Sequence, residues 1–361
     1  MSRRRALENV GAALQGRASP DVDWMLLLEL ANKALVTPAL YRALEASGAL
    51  AEAPDDVAKF MAEVTVLNDE RNARLRRAAG DAVNALNVAN IEPVLLKGMA
   101  IWASLPPQAG FSRMTSDIDL LVSPDQTEGA ITALQEAGFD LLARYEGPST
   151  HVVAELGRPT DVGIIDLHQH PPGPRGMIPA FGVGGLPTQL EWNGRVRVPS
   201  PAEQILLMCL HDQFHDGGYW RGGFDLRHLK DLADLTWAPQ GVDWRALEAL
   251  TPTRLLRNAV HTELIAAQRL AGAILPNEIS RRLAPRLQYQ RHFAQHLYPR
   301  WNLVLAGAGL ALEWPNVPQH RAANRAANRA AGDLAAARPS GWLGLHPMRI
   351  HEIMKARPGK V

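Results

Sequence analysis

Two aspartates, Asp117 and Asp119, are the residues of this sequence best suited by type and spacing to chemistry. Residues i and i+2 of a β-strand project from the same face, so both carboxylates would point the same way, with Ile118 opposite. Such a pair repels, and the repulsion grows as water is removed. Mg²⁺ relieves it, because this ion takes oxygen ligands from one or two carboxylates and from substrate phosphates. The alternative is that Asp117 caps a loop and Asp119 lies at a sheet edge.

A third carboxylate and a glycine turn favour the metal interpretation. Asp166 lies in the apolar segment 162–168, which predicts a strand, and Gly98 ends the short predicted strand Pro93–Lys97. Three carboxylates on adjacent strands, with a helix that starts at a glycine, predict a site for a metal ion and a triphosphate. For Asp166, a hydrogen bond to the neighbouring His168 is the alternative.

Basic residues near these carboxylates would offset the charge of a triphosphate. Lys97 and Arg113 are the candidates, and an arginine can hold a phosphate through two parallel hydrogen bonds. An ion pair between Arg113 and Asp117 or Asp119 is equally open. A further cluster of arginines lies on a predicted helix over 55–89, where it forms either a solvated face or a wall that attracts phosphates.

The elements that must position these residues follow from hydrophobic periodicity. Residues 1–90 are predicted to be helical, because apolar positions recur near the helical period. Residues 91–200 are predicted to form the catalytic core, in which short strands alternate with a helix over 124–137. A hairpin is expected around Gly147 and Pro148, and the Pro- and Gly-rich segment 171–200 is either a mobile loop or a β-hairpin.

The remainder of the chain is predicted to be helical over 201–338, with a tail at 339–361. Ser200 and Glu203 have the spacing of a capping box at the start of this region. Helices are expected over 201–215, 225–236, 243–270 and 276–297. The fold class is therefore α+β, a small mixed β-sheet core framed by N- and C-terminal helices.

Composition limits the classes of function. The chain has 361 residues, and 38 basic against 37 acidic residues give a formal net charge of +1. A dedicated nucleic-acid binder usually carries a strong basic excess, so nucleic acid is not the expected partner. The single cysteine, Cys209, excludes an intrachain disulfide and a cysteine-built zinc site. No signal peptide or membrane span is expected, which together with the absence of disulfides predicts a cytoplasmic protein.

Three motifs resemble the nucleotidyltransferase superfamily that shares the DNA polymerase β-like catalytic core. They are VLLKGMAI at Val94–Ile101, RMTSDIDLLV at Arg113–Val122 and IDLH at Ile165–His168. The chain resembles more closely the bacterial family known as uncharacterised nucleotidyltransferases. Weaker helical similarities at Pro201–His211 and Leu226–Leu232 extend the resemblance over residues 20–240.

The resemblance implies roles for particular residues. Asp117 and Asp119 match the paired metal-binding carboxylates, and Asp166 matches the third carboxylate, which binds metal and orients or deprotonates the attacking hydroxyl. Gly98 matches the glycine before the first core helix. The superfamily has Gly-Ser at this turn, whereas this chain has Lys-Gly-Met. The expected nucleotide-binding residues are therefore Lys97, Gly98, Arg113 and Ser116.

The resemblance also implies an activity. Mg²⁺, or Mn²⁺ in its place, would assist transfer of a nucleoside monophosphate from an NTP to a hydroxyl, with release of pyrophosphate. ATP is the expected donor, and a protein, a peptide or a small molecule is the expected acceptor. A nucleotide- or partner-binding protein without catalytic activity is the first alternative, because no serine follows Gly98.

Histidines support a second alternative, a metal-dependent phosphohydrolase. His211 and His215 share a helical face at the i, i+4 spacing of zinc ligands, and His168 and His170 form another pair. The aromatic segment around Tyr219 either contacts a nucleotide base or acceptor or packs as an interhelical turn. Asp231 and Asp234 are interpreted as surface or capping charges.

Overall fold

The computed structural model describes residues 3–19, 21–105, 111–146, 151–173, 186–189 and 194–330 of the chain. Helices and a mixed sheet give it an α+β architecture. No helix of the described part is both long and apolar enough to cross a membrane. The predicted tail at 339–361 and the turn at Gly147 and Pro148 lie outside the described residues.

In the described part of the chain, four α-helices precede the sheet. They are α1 (Arg3–Ala13), α2 (Trp24–Lys33), α3 (Thr37–Ser47) and α4 (Asp55–Val88). Asp23 caps α2 by accepting a hydrogen bond from the Leu26 amide, and Pro38 lies in the first turn of α3, where a missing amide hydrogen costs little. The long helix α4 buries an apolar stripe that includes Met61, Leu75 and Val83, as its periodicity predicts.

Within the described residues, the sheet has seven strands in the order β3-β4-β5-β2-β1-β7-β6. Its members are β1 (Val94–Leu95), β2 (Ile118–Leu121), β3 (Asp140–Arg144), β4 (Val152–Gly157), β5 (Ile165–His168), β6 (Leu186–Gln189) and β7 (Arg195–Val198). Two pairings are parallel, β2 with β5 and β1 with β7, and the others are antiparallel. The pairing of β6 with β7 shows that the segment 171–200 contains a β-hairpin.

Two helices lie between the strands of this sheet. They are α5 (Lys97–Ser104), directly after β1, and α6 (Thr127–Glu136), between β2 and β3. One face of the sheet packs against α4, α5 and α6. Ile118 and Leu120 of β2 and Ile165 and Leu167 of β5 belong to that apolar core. Because side chains alternate along a strand, Asp119, Asp166 and their i+2 neighbours project from the opposite face.

The helices after the sheet are more broken than the sequence predicts. They are α7 (Pro201–Cys209), α8 (Gly218–Arg221), α9 (Leu226–Trp237), α10 (Trp244–Leu250), α11 (Arg254–Ala271), α12 (Asn277–Ser280), α13 (Leu283–Leu297), α14 (Asn302–Glu313) and α15 (Val317–Ala330). The helix predicted over 201–215 changes to a π-helical turn at Leu210–His215, and the one predicted over 243–270 is interrupted at Pro252. The capping box between Ser200 and Glu203 is confirmed.

The N- and C-terminal helices share one apolar core. Leu7 of α1, Leu40 of α3 and Met61 of α4 belong to the same buried cluster as Ile205 of α7 and Leu264 of α11. Helices from both ends of the chain therefore frame the sheet as a single packed unit. Leu121 of β2 joins a smaller cluster with Leu207 of α7, which covers the sheet face that carries the aspartates.

Candidate active site

Strands β2 and β5 bring two of the predicted carboxylates together. Their parallel register pairs Asp119 directly with Asp166, and Leu121 with His168. The apolar neighbours of both aspartates face α4 and α6, so the alternation of the strands places both carboxylates on the other face. The structure thus brings Asp119 and Asp166 side by side on neighbouring strands, as the sequence predicts.

Asp119 is almost fully buried and is held by two partners. Its Oδ1 atom accepts a hydrogen bond from Lys97 Nζ at 2.6 Å and lies 2.9 Å from His168 Nε2. Burial alone would raise the pKa of this carboxyl, but the hydrogen bond from His168 and the charge of Lys97 outweigh burial and hold the pKa well below its usual range. Because both contacts use Oδ1, neither of them occupies Oδ2.

Lys97 takes an unusual backbone conformation for this contact. It is the first residue of α5 and has a φ of 45°, in the left-handed region that few non-glycine residues adopt. Strand β1 ends at Leu95, two residues before it, so the prediction that Lys97 ends the strand is wrong. The left-handed turn accompanies the salt bridge between Lys97 and Asp119 across neighbouring elements.

Asp166 has fewer polar partners than Asp119 among the described residues. It is half-buried, and its Oδ1 atom is enclosed without a hydrogen-bond partner among the described residues. Burial and the charges of Asp119 and Asp117 raise the pKa of Asp166 to about 7. Since His168 directs Nε2 to Asp119, the alternative in which Asp166 is bonded to His168 is wrong.

The donor atoms fit a divalent cation. Asp119, Asp166 and His168 each offer one ligand atom, and these three atoms lie within 4.8 Å of one another. Hard ions such as Mg²⁺ prefer the two carboxylates, and an enclosed, unpartnered carboxylate oxygen is the feature that a cation satisfies. Asp117 lies one residue before β2, half-exposed, and is outside this compact group.

Arg113 forms a buried ion pair with Asp231 of α9. Its Nε donates to Asp231 Oδ2 at 2.7 Å, and the two side chains are 8% and 3% exposed. Arg113 therefore does form an ion pair, but the prediction that its partner is Asp117 or Asp119 is wrong. The interpretation of Asp231 as a surface or capping charge is also wrong, because this residue is buried. Gly98 provides the space for this pair, because a Cβ atom there would lie 2.5 Å from Arg113 Nη1.

Helix α4 holds the loop that leads into β2. Arg71 donates to the carbonyl oxygens of Thr115 at 3.2 Å and Ser116 at 3.3 Å, and Asn72 donates to that of Arg113 at 3.0 Å. Ser116 itself is exposed. One member of the arginine cluster thus fixes backbone directly before Asp117 instead of lying free in solvent.

Among the described residues, five histidines form a series of ring contacts that begins at His168, the partner of Asp119, which is more than the sequence indicates. The ring of His151 stacks on that of His168 with centroids 5.4 Å apart and contacts His215 edge-on at 5.2 Å. His215 stacks on His211 at 5.4 Å, and His211 approaches His228 at 6.4 Å. The sequence does not indicate that His151 and His228 belong to this cluster, since they come from separate elements and no local spacing connects them to the other histidines.

A buried carboxylate supports this histidine cluster. Asp212 lies 2.6 Å from His228 Nδ1 and 3.2 Å from His211 Nδ1. Burial would lower the pKa of His228, but the charges of Asp212 and Asp225 raise it to about 9. Burial also lowers the pKa of His151 to about 4.

One cavity is lined both by the basic residues Lys97 and Arg113 and by two histidines of the cluster. It is lined by Lys97, Arg113, His211 and His228 on its polar side and by apolar residues that include Leu96, Ala100, Ile101, Leu207 and Met208. Tyr219 lies elsewhere and is fully buried, as the alternative of a packed interhelical turn predicts. The cavity is thus bordered by Lys97, the partner of Asp119, and by two histidines of the cluster.

Comparison with known proteins agrees with the geometry. Residues 20–272 match the model of a family described as uncharacterised nucleotidyltransferase, and this match spans the sheet, the carboxylates and the histidine cluster. No curated protein matches the chain. Since the family model covers well over half of the sequence, the chain belongs to the uncharacterised nucleotidyltransferase family.

Proposed function

We propose that this protein transfers a nucleoside monophosphate from an NTP to a hydroxyl group in a reaction that requires Mg²⁺ or Mn²⁺. Membership of the family supports nucleotidyl transfer in general. The observation that carries the finer proposal is the pairing of Asp119 with Asp166 across two parallel strands, with one enclosed carboxylate oxygen left unpartnered.

Asp119 and Asp166 would hold the metal, and Asp117 would join them from the entrance of β2. When bound, the metal would stabilise charge on the attacking and leaving oxygens of an in-line displacement. Asp119 suits this role because its carboxyl stays ionised and its partners use only Oδ1. The charge of Lys97, next to Asp119, would also attract the triphosphate.

The proton of the acceptor hydroxyl is assigned to Asp166. The acceptor oxygen forms a bond to the α-phosphorus, the bond from that phosphorus to the bridging oxygen of the β-phosphate breaks, and pyrophosphate leaves. Asp166 accepts the proton, since it is the one carboxylate of the pair without an ion-pair partner among the described residues. Arg113 lines the cavity beside Lys97, but its Nε donates to Asp231, so we assign it to positioning the loop before Asp117.

The donor and the acceptor are proposed by class. ATP is the donor to test first, and a protein, a peptide or a small molecule carries the acceptor hydroxyl. The near-neutral charge of the chain does not favour nucleic acid as the acceptor. Residues Gly98 and Ser116 are proposed near the nucleotide by resemblance, although in the structure Gly98 contacts Arg113 and Ser116 binds Arg71 through its carbonyl.

The test is incubation of the purified protein with α-labelled NTPs, Mg²⁺ and a cell lysate, followed by separation of labelled species. Wild type should label an acceptor, and Asp119→Asn with Asp166→Asn should abolish the labelling. Asp140→Asn is the matched control, because this aspartate is exposed at the sheet edge in β3. Circular dichroism and thermal unfolding confirm that the variants are folded.

Three results would overturn the proposal. Labelling that survives in the double variant would show that the carboxylates are not required. Phosphate release without a nucleotidylated product would favour the phosphohydrolase alternative, for which the neighbouring histidines provide a reason. ATP binding without turnover, across acceptor sources, would favour a nucleotide-binding protein that does not catalyse transfer.

A further inference from the structure

A second group of metal-ligating side chains lies outside the carboxylate pair. His211, His215 and Asp216 each offer one ligand atom, and these three atoms lie within 4.8 Å of one another. All three residues are half-buried. The two histidines lie in the π-helical turn Leu210–His215, which directly follows α7. Single π-helical turns of this kind occur frequently at functional sites.

The surroundings of His211 are those of a ligating imidazole. Its Nδ1 atom lies 3.2 Å from Asp212 Oδ1, and Asp212 is in turn held by His228 at 2.6 Å. A metal-bound histidine almost always directs its other ring nitrogen to a carboxylate, a carbonyl or a water, which fixes the ring orientation. The contact with Asp212 uses Nδ1, so Nε2 is the atom of His211 that a bound metal would take.

A third imidazole approaches from the sheet. The ring of His151, directly before β4, meets His215 edge-on at 5.2 Å and stacks on His168 at 5.4 Å. Side chains from the turn after α7 and from the β4 end of the sheet thus converge on the same space. His151 also connects this group to the carboxylate site, because His168 is the partner of Asp119.

We propose that His211, His215 and Asp216 form a zinc site next to the nucleotidyl-transfer site, with His151 as a further ligand or a neighbour of the bound ion. Two imidazoles and a carboxylate are a ligand set of Zn²⁺ sites that keep an open position. This donor set differs from the oxygen-rich pair Asp119 and Asp166, which suits Mg²⁺. The protein would then hold two kinds of metal in adjacent places.

Cobalt substitution gives a direct test, because Co²⁺ in a tetrahedral nitrogen and oxygen site absorbs visible light. The intact protein is loaded with Zn²⁺ or Co²⁺, freed of excess metal and analysed for bound metal and for its visible spectrum. Wild type should retain one equivalent of zinc and show the cobalt bands. His211→Ala with His215→Ala should lose both, whereas His296→Ala, a histidine of α13 outside the cluster, should keep both.

Two further variants separate this site from its surroundings. Asp119→Asn with Asp166→Asn should keep the zinc and the cobalt spectrum, even if nucleotidyl transfer is abolished. Asp212→Asn should weaken zinc binding by about 10- to 100-fold without removing it, as expected of a group that orients a ligand. The single variants His211→Ala and His215→Ala provide the same readout if the double variant fails to fold.

The inference is refuted if wild type retains no zinc after loading. It is also refuted if the double histidine variant, folded, keeps the zinc and the spectrum. Loss of both in the double aspartate variant would place the metal at the carboxylates instead. None of these readouts requires nucleotidyl transfer, so the zinc site and the proposed function stand or fall separately.

Discussion

Replacing Asp231 by asparagine should destabilise the protein strongly, because it leaves the guanidinium of Arg113 buried without a counter-ion. The two side chains are only 8% and 3% exposed, so water cannot replace the lost carboxylate. Breaking a buried ion pair by removing one partner costs about 3–5 kcal/mol, against about 0.3–0.5 kcal/mol for an exposed helical pair. We expect Asp231→Asn to lower the free energy of unfolding by the larger amount.

Urea unfolding followed by circular dichroism measures this cost. Asp234→Asn is the matched control, since this residue lies on the same helix and pairs with Lys230 at i, i+4, with the two side chains 20% and 28% exposed. It should change the free energy of unfolding by less than about 1 kcal/mol, because burial, which raises the pKa of Asp234, offsets the gain from its ion pair. The difference between the two variants isolates the effect of burying an unpaired charge.

A double variant completes the test. Arg113→Met with Asp231→Leu removes both charges, and such replacement of a buried pair is often neutral or stabilising. The double variant should therefore be more stable than Asp231→Asn alone. A cost below about 1 kcal/mol for Asp231→Asn would refute the reasoning, because it would show that Arg113 finds another partner or water.

Three other perturbations follow from the structure. Gly163→Ala would place a Cβ atom 2.5 Å from the carbonyl oxygen of Ser116, so it should lower the free energy of unfolding in urea by about 1–3 kcal/mol and lower nucleotidyl transfer. The control Gly129→Ala on α6 meets no atom closer than 3.7 Å and should raise the free energy of unfolding by about 0.5–1 kcal/mol. Burial lowers the pKa of His261 to about 3, so at pH values between about 3 and 6.5 this histidine is protonated in the unfolded chain and neutral in the folded one. The free energy of unfolding should therefore fall as the pH drops from about 6.5 towards 3. His261→Gln should reduce this dependence on pH, and an unchanged dependence would contradict its assignment to His261. Asp166→Asn should abolish nucleotidyl transfer yet raise the free energy of unfolding of the metal-free protein at pH 8 by about 1–2 kcal/mol, after allowance for solvent screening. The reason is that the pKa of Asp166 is raised to about 7, so its ionised form opposes folding. A lower free energy of unfolding in the variant would show that this carboxylate is structural.

Local pattern was sufficient for much of the fold. The apolar period of α4 and the alternation in β2 depend only on neighbouring residues, and both elements lie close to their predicted bounds. Helix interruptions were harder to predict. The π-helical turn at Leu210–His215 follows an uninterrupted apolar run in α7, and in the structure its histidines stack on each other beside His151 and His228. Such a change of helix type reflects packing between elements, which a helical period does not contain.

The candidate site shows the same division. Alternation within β2 and β5 predicts which face carries Asp119 and Asp166, but the register that pairs them comes from strands far apart in the chain. The partner of Arg113 lies on α9, 118 residues away, and no spacing rule connects the two. Residue types and spacing therefore indicate which groups could do chemistry, whereas the partners of these groups depend on tertiary structure.

Several features of the carboxylate site lower the stability of the folded chain. Asp119 is almost fully buried among apolar strands, and Lys97 adopts a left-handed conformation beside it. Across the same register, Asp166 keeps an enclosed oxygen without a partner. Each of these features costs free energy that an apolar residue would not, and such costs concentrate at functional sites. The net charge of +1 conceals this arrangement, because the cost is local: Lys97 pairs with Asp119, whereas Asp166 has no ion-pair partner among the described residues, so the site demands a second positive charge. In the function proposed above, a divalent ion that arrives with a triphosphate would meet that demand.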